Sequence, residues 1–367
     1  MELASQDTLR LNVLLRQPLK AIRIDESRMQ VIGLTDDGEK SVQLNPNCQD
    51  ETYLKLVRQL ISSHVLGSPG GYPVYIKRWT RMGQARSTQI DKLLLLGEPE
   101  AVTAAVYTPD ITPELARRAW WCSQSSENAR ELLRRPDIVA DPLGRELATH
   151  LLEFLPFETE ARDVMYTVAL ILQPGLLDTA QQEKLWKQGQ RKNAYRAGFL
   201  LGEPSILPER HAAIRLESEQ QAALEQLVEA GNLAARRLQR ALSEDGQTFL
   251  RVFHKTCEKL ADQDVTIALF NRLGQFLQPK IQQAGHRHWP ELEAACSDEE
   301  PMVAALLQAL PDQAERIRAC ERLARVNETL LDPIFGGSDA LGSVMRKQLK
   351  PVLEPLQNDL RTLTGTS

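Results

Sequence analysis

Apolar positions along most of this chain recur at helical spacing. Tyr53, Val57, Leu60, Ile61 and His64 fall on one side of a helix that Gly67 would stop. Further stripes are Phe249, Val252, Phe253, Thr256 and Leu260, then Val265, Leu269, Leu273 and Phe276, then Leu349, Val352, Leu356, Leu360 and Leu363. Each predicts an amphipathic helix with one buried face. Starts are marked as well: Thr112-Pro113-Glu114 sets a capping hydroxyl before a proline at the first helical position, and Asp178 with Gln181 and Ser297 with Glu300 read as capping boxes. Only the N-terminal part alternates with a period of two. There, Met29 to Leu34 and Ser41 to Leu44 flank a polar stretch whose Asp37-Gly38 predicts a tight hairpin turn, because glycine accepts positive φ.

Glycine and proline punctuate the helical part at Gly97, Pro109, Pro136, Pro156, Pro174-Gly175, Pro204, Pro208, Gly285 and Pro311, a spacing that suits short helices packed as hairpins. Leu-Gly-Glu-Pro occurs at residues 96–99 and again at 201–204, a trace of an internal repeat without a fixed period. The expected fold is mainly α: a helical repeat, HEAT-like or an irregular α-solenoid, with a small N-terminal β-hairpin element and a C-terminal helical domain. At 367 residues the chain exceeds what one hydrophobic core usually serves, so several packing units are expected. The change of period and the long charged run from Glu209 to Arg240 divide it into a β element packed on the helices (1–48), a helical-repeat region (49–208) and a helical domain (209–367).

Composition narrows the class. A formal net charge of −5 excludes a protein that coats nucleic acid by bulk charge, though not one with a local basic patch. The longest nearly apolar run, Val164 to Leu172, is about half of the roughly 18 residues that span a bilayer, so it predicts a core helix and no membrane partner. The first residues lack the basic and apolar regions of a secretory signal, and the five cysteines are scattered, which together predict a cytoplasmic protein with reduced thiols.

Two stretches without acidic residues stand out. Between Glu51 and Asp91 lie Lys55, Arg58, Lys77, Arg78, Arg81 and Arg86, interleaved with Tyr72, Tyr75 and Trp79. Between Glu183 and Glu203 lie Lys184, Lys187, Arg191, Lys192 and Arg196, near Trp186, Tyr195 and Phe199. Cations among aromatics suit a single-stranded nucleic acid, whose phosphates need neutralising and whose bases stack. The same pattern suits amphipathic helices whose aromatics anchor a core under basic stems. The residues singled out for nucleic-acid or partner binding are Lys77, Arg78, Arg81, Lys187, Arg191 and Lys192.

Other candidates are slighter. His286-Arg287-His288 lacks a third metal ligand, and His254 with Cys257 sits on a stripe where a buried thiol acts as a small hydrophobe. Cys122 follows Trp120-Trp121 beside Arg117 and Arg118, whose charge would favour a thiolate able to carry sulfur as a persulfide, whereas the tryptophans suggest burial. Gly67-Ser68-Pro69-Gly70-Gly71 is not followed by the lysine and hydroxyl of a phosphate loop, and neither GxSxG nor HExxH occurs. The sequence therefore nominates no catalytic residue, no metal or cofactor and no small-molecule substrate.

Between residues 72 and 208 the local words YIKRWTRMGQ (75–84), LLLLGEPEAV (93–102), ARRAWW (116–121), EFLPFE (153–158), LQPGL (172–176) and LWKQGQRKNAYRAGFL (185–200) resemble the DsrS family. These are cytoplasmic accessory proteins encoded with the reverse dissimilatory sulfite reductase (Dsr) system of sulfur-oxidising bacteria. The resemblance implies a supporting role in oxidation of stored sulfur, such as control of Dsr protein production, without a catalytic step, and it carries no active-site residues. Three functions are thus expected in order: a non-enzymatic accessory or regulatory protein binding a protein or RNA of the Dsr system; an RNA-binding post-transcriptional regulator using the two basic stretches; and a sulfur-transfer protein carrying a persulfide on Cys122.

Overall fold

The computed structural model describes residues 2–73, 90–278, 285–336 and 342–365. Among these, the chain is mainly helical, with 20 helices and one three-stranded antiparallel sheet near the N-terminus. It forms two compact units, Met1–Phe154 and Leu155–Ser367. The β element shares a core with the helix that follows it.

In the first unit, helix α1 (Ser5–Leu15) precedes strands β1 (Ala21–Asp25), β2 (Gln30–Thr35) and β3 (Gly38–Gln43), in sheet order β1-β2-β3. The expected hairpin is β2-β3, paired from Gln30 opposite Gln43 to Thr35 opposite Gly38, with Gly38 at φ 109° after the turn. Strand β1 and helix α1 were not expected. The β1-β2 turn carries no Asn-Gly or Asp-Gly signal, and Met29, a non-glycine, takes positive φ there. Helix α1 and the loop after it lie close on the sheet: a Cβ on Gly33 would stand 3.2 Å from Leu14 Cδ1 of the helix and 2.7 Å from Leu19 Cδ2 of the loop. Helix α2 (Asp50–Leu66) closes the core with Tyr53, Val57 and Ile61, fully buried against Leu11, Ile22 and Val31, and stops at left-handed Gly67.

The unit continues through α3 (Ile90–Leu94), α4 (Pro99–Val106), α5 (Pro113–Cys122), α6 (Ser126–Leu132), α7 (Pro136–Ala140) and α8 (Pro142–Phe154). Thr112 caps α5 as expected, its hydroxyl accepting from the Leu115 amide at 3.3 Å. Helices α3 and α5 both touch β1.

The second unit holds α9 (Ala161–Ile171), α10 (Thr179–Gln188), α11 (Asn193–Leu201), α12 (Ser218–Glu229), α13 (Leu233–Leu242), α14 (Glu244–Cys257), α15 (Gln263–Leu277), α16 (Trp289–Ala294), α17 (Pro301–Ala309), α18 (Ala314–Ala324), α19 (Asp332–Phe335) and α20 (Gly342–Thr364). The run Val164 to Leu172 lies largely in core helix α9, and no helix among the described residues is long and apolar enough to cross a membrane. Helix α9 packs so tightly on α11 that a Cβ on Gly198 would meet Val168 Cβ at 2.6 Å. The C-terminal stripes are buried as expected. The Ser297 capping box is not formed: α17 begins at Pro301 after Glu300, and the Ser297 hydroxyl accepts from the Glu299 amide instead. The two Leu-Gly-Glu-Pro words do similar but unequal jobs. Each places proline at the start of a helical segment, but Gly97 is left-handed and Gly202 is extended.

Candidate binding surface

The second basic stretch sits on α10 and the turn that follows it. Asp178 starts the helix as the expected capping box: its Oδ1 accepts from the Gln181 amide at 2.8 Å, while Gln181 Oε1 accepts from the Asp178 amide at 2.9 Å. Leu185 and Trp186 point inward, Trp186 meeting the fully buried Phe199 edge-on at 5.0 Å between ring centroids. Tyr195 is buried too. Outward go Lys184, Lys187, Arg191 and Lys192, all exposed. The spacing of 184, 187 and 191 sets three of them in one row, since residues three and four apart are neighbours on a helix. The amides of Arg191 and Lys192 both bond the Gln188 carbonyl, which carries the row past the end of the helix. Asn193 Nδ2 donates to the carbonyls of Thr256 (3.1 Å) and Lys259 (3.3 Å), fixing the turn against the end of α14.

Among the described residues none of these four cations is ion-paired. Lys187 in the last turn, with Arg191 and Lys192 just beyond it, stands at a helix C-terminus, where the macrodipole favours positive charge. Arg196, from the same stretch, belongs elsewhere: it is buried over Trp186, 5.6 Å from the ring centroid, and its Nε has no partner. The aromatics under the row are thus core anchors and give no stacking platform. Of the first stretch, Lys55 is exposed and Arg58 is ion-paired with Glu26, while Lys77, Arg78, Arg81, Arg86, Tyr75 and Trp79 lie outside the described residues.

Of the two readings of Cys122, desolvation prevails over the pull of arginine charge. Cys122 donates to the Ile22 carbonyl at 3.5 Å, and burial pushes it up to about 12, against a lesser downward pull from Arg23. Its neighbours in sequence face other groups: Arg117 holds Asp141 at 2.7 Å, and Arg118 holds Glu114 at 3.0 Å. Near neutral pH the sulfur is a protonated thiol and a poor nucleophile. His254 and Cys257 are likewise a core pair. Burial holds the imidazole below its ordinary value and drives the thiol far above it. His288 and Arg287 are exposed beside α16, and no group of three or more metal-ligating side chains occurs among the described residues.

Two clusters went unseen in the sequence. One is interior. Glu321, 3% exposed, accepts from Arg237 at 2.5 Å and Arg325 at 2.7 Å, Arg325 also reaches Glu300 at 3.1 Å, and Arg322 makes a two-pronged pair with Asp359 at 2.5 and 2.8 Å. Cys296 stands beside this network, pushed up to about 11 by burial. The other is a cleft lined by Arg236, Arg240 and Arg272. Its signal was the acid-free span between Glu229 and Glu244, which holds Arg236, Arg237 and Arg240 inside a region otherwise mixed in charge. No protein-family model, no curated protein and no solved structure matches the chain.

Proposed function

We propose that this chain is a non-enzymatic accessory or regulatory protein that acts by holding another macromolecule on the row Lys184, Lys187, Arg191 and Lys192. One observation carries the reading: four exposed cations, with no ion-pair partner among the described residues, line the second half of one helix and the turn after it in a chain of net charge −5. The resemblance of residues 72–208 to the DsrS family gives the setting, the cytoplasmic Dsr system of sulfur oxidation. An irregular α-solenoid over residues 49–208 belongs to the same proposal, supported by the succession of short helices. The protonated Cys122 thiol argues for a scaffold over a sulfur carrier.

The partner is an acidic protein surface of that system. Recognition of single-stranded RNA draws much of its energy from base stacking, and here Trp186, Tyr195 and Phe199 are buried beneath the row. RNA would meet only the cations, and neutralising four phosphates gives a log–log salt slope of about −3. The test is binding of labelled Dsr proteins and of a Dsr transcript, by fluorescence anisotropy, to the native chain and to K184E/K187E/R191E/K192E. Binding of one Dsr protein that the variant loses supports the proposal. Binding of the transcript alone, with that slope, replaces it by the RNA reading, and binding that the reversal leaves unchanged overturns both.

A further inference from the structure

The arginine-lined cleft, of about 830 Å³, opens in the second unit between α13, the first turn of α14, the last turns of α15 and the turn after α11. Arg236 and Arg240 project from successive turns of α13, and Arg272 comes from α15. Two of the guanidiniums are held by neutral acceptors. Arg272 donates through Nε to the Leu200 carbonyl at 3.0 Å and through Nη2 to the Gly202 carbonyl at 2.7 Å; Arg240 donates through Nη1 to the Phe276 carbonyl at 2.8 Å. Carbonyls orient a guanidinium without cancelling its charge, and each arginine keeps further N–H donors. Burial holds Arg272 below its ordinary value; the Glu203 carboxylate pulls it back up, and the nearby Arg240 charge lowers it by less.

The carboxylates of the cleft do not balance these charges. Asp245 is committed to Arg210 at 2.9 Å, which leaves Glu203, exposed at the edge. Arg236 is exposed and has no ion-pair partner among the described residues. Capping of the carbonyl ends of α11 and α15 accounts for Arg272 and Arg240. It does not account for Arg236, nor for the amides of Gln239 and Gln275 lining the same space. Arg236 and Arg240 are exposed and Arg272 is half-buried, so three like charges line the cleft with only Glu203 left to oppose them, and a bound anion would offset the excess charge and the desolvation of Arg272.

We propose that this cleft binds a di- or triphosphate group, as carried by a nucleoside polyphosphate, with Arg236, Arg240 and Arg272 as its anion ligands. Planar guanidiniums meet phosphate oxygens through paired N–H donors, which makes arginine the side chain suited to this task. The cleft is far larger than one phosphate needs and lies within the range usual for small-molecule sites, roughly 300–1,000 Å³. The glutamine amides offer further donors, and Glu203 can accept from sugar hydroxyls.

Calorimetric titration of the full chain with pyrophosphate, ATP and adenosine at low salt tests this. Pyrophosphate and ATP should bind and adenosine should not. If pyrophosphate binds and ATP does not, the site is one for the free anion, and the nucleoside part of the proposal is overturned. R236E reverses an exposed side chain with no structural partner, so its thermal midpoint should match the native chain while affinity for both anions falls at least roughly tenfold. R236K should retain part of the affinity, and K187E/R191E, on the α10 row, should retain all of it, which separates this site from the docking reading. Absence of heat with both anions at millimolar concentration, or equal affinity in R236E, would overturn the proposal.

Discussion

The α10 row and the network around Glu321 both set cations on helices, yet their charges go to opposite ends. In the network, Arg237, Arg322 and Arg325 turn inward onto Glu321 and Asp359, which are 3% and 5% exposed, and the guanidiniums tie α13, α18 and α20 together. On the row, Lys184, Lys187, Arg191 and Lys192 turn outward from a helix whose other side is already fixed by Leu185 and Trp186. A cation in the first place holds the fold. In the second it is available to a partner, and the fold does not depend on it.

The sharpest way to break this contrast is to remove the acid. Glu321→Ala leaves Arg237 buried without its carboxylate and Arg325 half-buried with Glu300 alone, a loss of about 3–5 kcal/mol by analogy with other buried pairs missing one member. Urea denaturation should show the midpoint falling while the slope is kept. A loss below about 1 kcal/mol would mean that the two arginines find other acceptors or water, and that the network does not hold the helices.

How far this was legible in the sequence follows from the range of each interaction. The stripes from Phe249 to Leu260 and from Leu349 to Leu363 are local and periodic, so their burial could be foreseen. So could the caps at Thr112 and Asp178, which depend on residues three apart. Strand β1 was not visible, because its partner is chosen by burial against α5 and not by a turn signal. The Arg237–Glu321 pair joins residues 84 apart, and nothing local to either names the other. On α10 the sequence placed cations and aromatics together correctly, but only the packing of Trp186 on Phe199 decides that the aromatics serve the core.

A second acid sharpens the contrast from the other side, since it is buried without a cation in contact. Burial alone would raise Asp7, but the Asn45 amide at 2.6 Å, the Tyr53 hydroxyl at 2.5 Å and Asn45 Nδ2 at 3.0 Å hold it below the ordinary carboxylate value. A depressed carboxylate stabilises the fold above its unfolded value and loses that contribution as pH falls through the folded one. Tyr53 is pushed up to about 12 by burial, with its bond to Asp7 acting in the same direction, so its contribution is present below about 10 and is lost as pH rises toward 12. Tyr53→Phe should cost about 1–3 kcal/mol at neutral pH by leaving a buried carboxylate short of one donor. It should also flatten the alkaline decline in a pH series of thermal midpoints. An unchanged alkaline limb would show that another group is responsible.

Cys122→Ala probes a thiol whose neighbouring arginines are already committed, as they are in the network. It removes a small, half-buried, protonated side chain and should cost about 1 kcal/mol, read by denaturation, with partner binding through the α10 row unaltered. Rapid alkylation of Cys122 in the native chain near neutral pH, at a rate like that of a free thiol, would contradict the protonated state and revive the persulfide reading.

The smallest effect belongs to the row itself, and its smallness is informative. Lys184, Lys187, Arg191 and Lys192 are exposed and have no ion-pair partner among the described residues, and for those at the helix C-terminus the macrodipole gives some tenths of a kcal/mol at low salt. Neutralising Lys187 and Arg191 to glutamine should therefore shift stability by no more than about 0.5 kcal/mol each, shrinking further as salt screens the dipole. If the double variant instead lost several kcal/mol, the row would be part of the fold like the cations around Glu321. A near-zero change in stability, together with lost partner binding, is the pattern that only a free surface produces.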